Sequence, residues 1–93
     1  MLTWDRGKAT INFDKRGVSF AEAAMVFAEP RGLEREDMEH SGKERRQKRL
    51  GASIGRRVLV VVYTTRRTPD GNEAIRIFSA RQASRKARAA YSG

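Results

Sequence analysis

The sequence has no cysteine and only one histidine, His40. Without cysteine there are no disulfides and no thiolate metal sites. One histidine rules out a multi-histidine metal site within a single chain, and no metal or other cofactor is expected. Long apolar runs are missing too. The longest is VLVVVY, residues 58–63, far short of the roughly 20 residues of a membrane span. The opening MLTWDRGK has no apolar signal region. A cytoplasmic location and no membrane partner are therefore expected. Acid is also scarce. Eleven Asp and Glu stand against 20 Lys and Arg, a net charge of +9. The stretch RIFSARQASRKARAAY, residues 76–91, holds no acidic residue.

What is present fits one soluble domain spanning residues 1–93. The apolar fraction is 39% and the charged fraction 33%, which suits a globular rather than a disordered chain. A chain of this length buries about 60–65% of its unfolded surface, so the core is modest. The positive charge predicts attraction to a polyanion: a nucleic acid, an acidic protein or a membrane face. Charge alone does not choose among them.

The opening LTW reads as an edge strand. Asp5 is a candidate N-cap for a helix that Gly17 ends. Ser19 and Glu22 have the spacing of a capping box. Phe20, Ala23, Ala24 and Phe27 then fall on one helical face, and Pro30 ends the run. Residues 31–42 suggest a short strand and a turn at Ser41-Gly42. KERRQKRLG is charged on both faces and reads as an exposed strand. RRVLVVVYTTRR predicts a central strand buried on both sides. TPDGNE is hairpin chemistry. AIRIFSAR is the partner strand, with Ile75 and Ile77 on one face and Arg76 and Phe78 on the other. A basic helix is expected from about Gln82 to Tyr91. The order is a short strand, two helices, three to four antiparallel strands and a last helix, an α+β fold.

These residues carry a resemblance. Trp4, Asp5, Lys8, Asn12, Lys15 and the run Gly17 to Phe20 lead into Glu22, Ala23, Val26, Phe27 and Pro30. His40, Gly42, Glu44 and Arg45 follow, then Leu50, Gly51, Ser53, Arg57 and Leu59 to Thr64. Ile75 to Ile77, Ser79 to Arg81, Ala83, Arg88 and Tyr91 complete the pattern. It resembles the BrnT family of toxins over nearly the whole chain. The chain departs from that pattern at Arg16, where histidine is usual, at Arg46, where an aromatic is frequent, and at Ala87 and near Thr65, where acids are frequent; the turn TPDGNE is also longer than usual. The resemblance implies a RelE-like fold and a ribonuclease that stops translation. It also implies a BrnA-like ribbon-helix-helix antitoxin, with operator DNA met only through the antitoxin complex. The toxin would be a monomer alone or part of a heterotetramer with the antitoxin.

Cutting RNA without metal needs a base near the 2′-OH, an acid near the leaving 5′-oxygen and cations around the phosphate. Guanidinium suits the last task, since its fork pairs two phosphate oxygens. It stays protonated and so moves no protons. Arg81 and Arg76 are the candidates for the phosphate. Glu44 is a candidate base, and His40, with a free pKa near neutrality, a candidate acid or base. Arg85 and Arg88 follow Arg81 at helical spacing and could track an RNA backbone with Arg45, while Lys86 points elsewhere. Tyr91 could stack on a base or pack the last helix. The rival reading is a basic module of the same fold that binds RNA or an antitoxin without cutting.

Overall fold

The computed structural model describes residues 1–37, 45–54 and 57–92. In chain order the elements are β1 (Leu2–Trp4), α1 (Arg6–Arg16), α2 (Phe20–Met25) with a 3-10 turn at Val26–Ala28, β2 (Leu33–Glu36), β3 (Gln47–Ala52), β4 (Val58–Arg67), β5 (Glu73–Gln82) and α3 (Arg85–Ser92). The strands form one five-stranded sheet in the order β1-β5-β4-β3-β2. All neighbours are antiparallel except β1, which runs parallel to β5. The α+β expectation holds, with a mixed sheet.

Helix ends follow the local chemistry. The Asp5 carboxylate accepts from the Lys8 amide at 3.0 Å, and Gly17 closes α1 in the left-handed region at φ 68°. Such a cap is worth about 1 kcal/mol. Ser19 accepts from the Glu22 amide at 3.0 Å. Only that half of the capping box forms, because the Glu22 carboxylate is taken elsewhere. It accepts from Ser53 Oγ at 2.6 Å and Arg57 Nε at 2.9 Å, and also pairs with Arg57 Nη2. Arg57 Nη2 donates as well to the Gly17 carbonyl at 3.1 Å. One glutamate thus ties the start of α2 to the β3–β4 connection.

The core lies between the helices and one sheet face. Val18, Phe20, Ala23 and Val26 pack on Leu59, Val61, Ile77 and Ala80, all buried. Full burial of a side chain such as Phe20 or Ile77 contributes about 1.5–3 kcal/mol. Ile77 and Ala80 are three residues apart yet share this face. The register explains it: Val62 pairs with Ser79 and Tyr63 with Ile77, so Phe78 is an extra residue in β5. This bulge resets the alternation.

Two expectations need correction. KERRQKRLG was expected to be an exposed strand; β3 is half-buried and second from the sheet edge. Arg49 is the reason. Its guanidinium points to the helix side and donates to the Val26 and Glu29 carbonyls at 2.9 and 2.7 Å and to Glu34 at 2.9 Å. Held by two carbonyls and a carboxylate, the Arg49 side chain is only 14% exposed, although its charge reads as surface. The last helix begins at Arg85, not Gln82. Gln82 still pairs with Leu59 in the ladder, and Ser84 Oγ accepts from the Ala87 amide at 3.2 Å. The turn foreseen at Ser41-Gly42 lies outside the described residues. Among the described residues no helix is long and apolar enough to cross a membrane.

Candidate active site

The sheet face away from the α1/α2 core carries the charge. Two cross-strand rows cross it. Leu33, Leu50, Val60 and Arg81 are successive partners, as are Arg35, Lys48, Val62 and Ser79. Cross-strand partners share a face. The first row is apolar and ends in Arg81. The second begins with two cations. Sequence alternation in QKRLGA sets this locally: Lys48 and Leu50 face one way and Arg49 the other.

Two adjoining cavities open on this face. The first is a groove of about 220 Å³ lined by Arg16, Arg46, Lys48, Arg81, Asp37 and Ser79 over Val60 and Val62. Asp37 is 1% exposed, and its Oδ1 lies 3.7 Å from Lys48 Nζ. Its amide donates to the Arg46 carbonyl at 2.8 Å. The guanidinium of Arg46 sits 4.3 Å from the centre of the Phe78 ring, and Lys8 Nζ 4.7 Å from it. An aromatic face attracts such cations, so the bulged Phe78 gathers charge beside the groove. The second cavity, about 340 Å³, lies between α3 and the sheet. Leu33, Leu50 and Val60 line it from the sheet, and Ala87 and Ala90 from α3. Lys48, Val60 and Arg81 belong to both cavities.

Asn12 holds the strand that bears Arg81. β1 ends at Trp4, opposite Ile77. Beyond that point a side chain completes the edge of β5. Asn12 Nδ2 donates to the Ala80 carbonyl at 2.9 Å, and Asn12 Oδ1 accepts from the Ala80 amide at 3.1 Å. Nδ2 also donates to the Val18 carbonyl at 2.9 Å. The buried amide acts as a one-residue strand, directly beside Ser79 and Arg81.

Among the residues singled out in the sequence, Arg81 lies in the groove, one residue before the end of β5. Arg76 shares its face by register, paired with Thr64. It stands five positions away, about 16 Å of strand at about 3.3 Å per residue, and lines neither cavity. Its charge contributes to lowering the Asp5 pKa, after the larger effect of the Lys8 amide. Arg45 pairs with Glu36 at 2.9 Å. Because Arg81 is still in a strand, Arg81, Arg85 and Arg88 do not form one helical stripe. Lys86, expected to point elsewhere, lines the larger cavity, and Arg85 and Arg88 do not. Tyr91 is half-buried and faces the Glu29 carboxylate, which with burial pushes its pKa up. His40 and Glu44 lie outside the described residues. Lys48, Asp37, Arg46 and Arg16 were not singled out as site residues. The strand pattern around Lys48 was the signal that could have placed it. Among the described residues no group of three or more His, Asp or Glu could hold a metal ion.

The fold and the groove together define a class: a small α+β domain with a cationic groove on one sheet face. The sequence matches, over residues 4–87, the family described as the ribonuclease toxin BrnT of type II toxin–antitoxin systems, and the chain belongs to that family. Its fold is similar to that of the Brucella abortus ribonuclease toxin BrnT, known from a crystal structure. The two are 23% identical with a TM-score of 0.60, over 90% of this chain and 96% of that one. No curated protein matches the sequence.

Proposed function

We propose that this chain is an active endoribonuclease that cuts RNA in the groove on the open sheet face, without a metal ion. The observation that carries this is the convergence of Arg16, Arg46, Lys48 and Arg81 on one small cavity. The 2′-OH attacks the adjacent phosphorus, the bond to the 5′-oxygen breaks, and a 2′,3′-cyclic phosphate and a free 5′-OH result. Charge grows on the phosphoryl oxygens in that transition state, and fixed cations stabilise it. Arg81 supplies the forked contact. Lys48 supplies a point charge, oriented by Asp37. At 1% exposure Asp37 cannot meet a 2′-OH directly, so it acts through Lys48.

Proton transfer falls to His40 and Glu44. In sequence His40 follows Asp37 closely and Glu44 directly precedes Arg45. Arg45, Arg76, Arg85, Arg88 and Tyr91 lie outside the groove, and the cations among them would guide the RNA backbone. In the cell such cleavage would stop translation in the cytoplasm. A BrnA-like ribbon-helix-helix antitoxin would neutralise the toxin in a heterotetramer, and only that complex would meet operator DNA.

The test is purified protein on a defined RNA in excess EDTA, with the product ends mapped. Cleavage leaving cyclic phosphate and 5′-OH ends is expected. RNA that is bound but intact would instead favour the non-catalytic module, in which the same cations hold RNA and no group moves protons.

A further inference from the structure

We infer that the cavity under α3 is a nucleobase subsite, which holds the base of a nucleotide whose phosphate lies in the neighbouring groove. This rests on the ribonuclease reading and adds to it where the base goes.

Three observations carry it. The first is shape. α3 does not fill the space beneath it. Just before the helix the Ala83 amide donates to the Val58 carbonyl at 2.8 Å. Over the cavity the helix presents Ala87 and Ala90, the smallest side chains that keep a helix. The resulting cavity of about 340 Å³ falls at the small end of ligand pockets, which run from about 300 to 1,000 Å³. The second is chemistry. The floor is aliphatic, and Leu33 is left 42% exposed there although it is a large apolar residue. An aliphatic slot suits a flat heterocycle. The third is connectivity. Lys48, Val60 and Arg81 form a wall common to this cavity and the phosphate groove. A nucleotide has this same pairing, an apolar ring joined through a sugar to an anion. Free phosphate would leave the aliphatic floor unused. An apolar peptide segment would leave the charges of Arg35, Arg81 and Lys86 unmatched.

The experiment compares the four nucleoside 3′-monophosphates with ribose 5-phosphate, by calorimetric titration of the full chain. At least one nucleotide should bind tenfold or more tightly than ribose 5-phosphate. Ala87→Leu fills the cavity with a good helix former and should bring that nucleotide down to the sugar phosphate's affinity, with the sugar phosphate unchanged. Ala90→Leu is the second variant if the first fails to fold. Equal binding of nucleotides and sugar phosphate to the wild type overturns the subsite. So does a variant that weakens both alike, or one that loses only antitoxin binding. RNA cleavage without base discrimination overturns the subsite and leaves the ribonuclease reading standing. Discrimination without cleavage does the reverse.

Discussion

Replacing Asn12 with alanine removes three buried hydrogen bonds at once, two at the edge of β5 and one to the α1–α2 loop. Asn12 is 6% exposed, and its amide serves the Ala80 amide, the Ala80 carbonyl and the Val18 carbonyl. At about 1 kcal/mol net per bond, the loss is about 3 kcal/mol, and more if the orphaned groups stay dry. For a domain of this size that lowers Tm by about 12–24 °C, at about 4–8 °C per kcal/mol. With a total stability of about 5–15 kcal/mol the variant still folds. Asn12→Asp is the sharper probe, because it keeps shape and acceptor. Its carboxylate would face two carbonyl oxygens, while its protonated form could donate to one. Folding therefore raises the pKa of the new carboxyl. A group with a raised folded pKa contributes most at low pH and loses that contribution as pH rises. The deficit against wild type should thus be large at pH 7 and shrink toward pH 4. Urea denaturation at both pH values, with unchanged m-values, reads both effects. An Asn12→Ala protein within about 0.5 kcal/mol of wild type, the usual span of neutral surface changes, would refute the edge-strand role.

Other outcomes follow from the same contacts. Glu22 has a lowered pKa, chiefly through its hydrogen bond from Arg57. Its stabilisation is therefore present above the ordinary carboxylate value of 4.5 and lost as pH falls below it; Arg57→Ala should flatten that acid limb in thermal melts. Gly51→Ala puts a Cβ 2.8 Å from the Val26 Cγ1, and overpacking of this kind should cost about 1–3 kcal/mol in denaturant titrations. RNA affinity should fall with salt at a log–log slope of about −3, since four groove cations each count about 0.7 on a single strand. A flat response in filter binding would remove the groove from RNA recognition.

Much of the fold is written in local chemistry. Asp5, Gly17 and Ser19 cap where their side chains and backbone freedom dictate. VLVVVY is the central strand because it is apolar at every position. The site is less legible, for two physical reasons. β3 carries charges toward both faces, and only the carbonyls of Val26 and Glu29 show that Arg49 points to the helix side while Lys48 is the cation of the groove. The Phe78 bulge and the continuation of β5 to Gln82 shift every later position. A helical stripe drawn from Arg81 therefore misplaces Lys86. Asp37 gives no local sign of burial, because its partners, the Arg46 carbonyl and the Lys48 ammonium, come from the following strand and its approach. Apart from Thr65 and the TPDGNE turn, which line neither cavity, the positions that depart from the BrnT pattern, Arg16, Arg46 and Ala87, line the two cavities. Their effect is thus expected in substrate handling rather than folding.

The most direct measurement is growth after inducing this protein alone, against its Arg81→Ala form, with total RNA from both run on a gel. Arg81 is exposed, and its side chain makes one long hydrogen bond, 3.5 Å to the Gln82 carbonyl. The variant should fold as wild type does and lose at least tenfold in RNA cleavage, about 1.4 kcal/mol of transition-state stabilisation. Arrest and RNA loss with the wild type alone would place the phosphate at Arg81. A folded Arg81→Ala protein that arrests growth and degrades RNA like wild type would contradict the account.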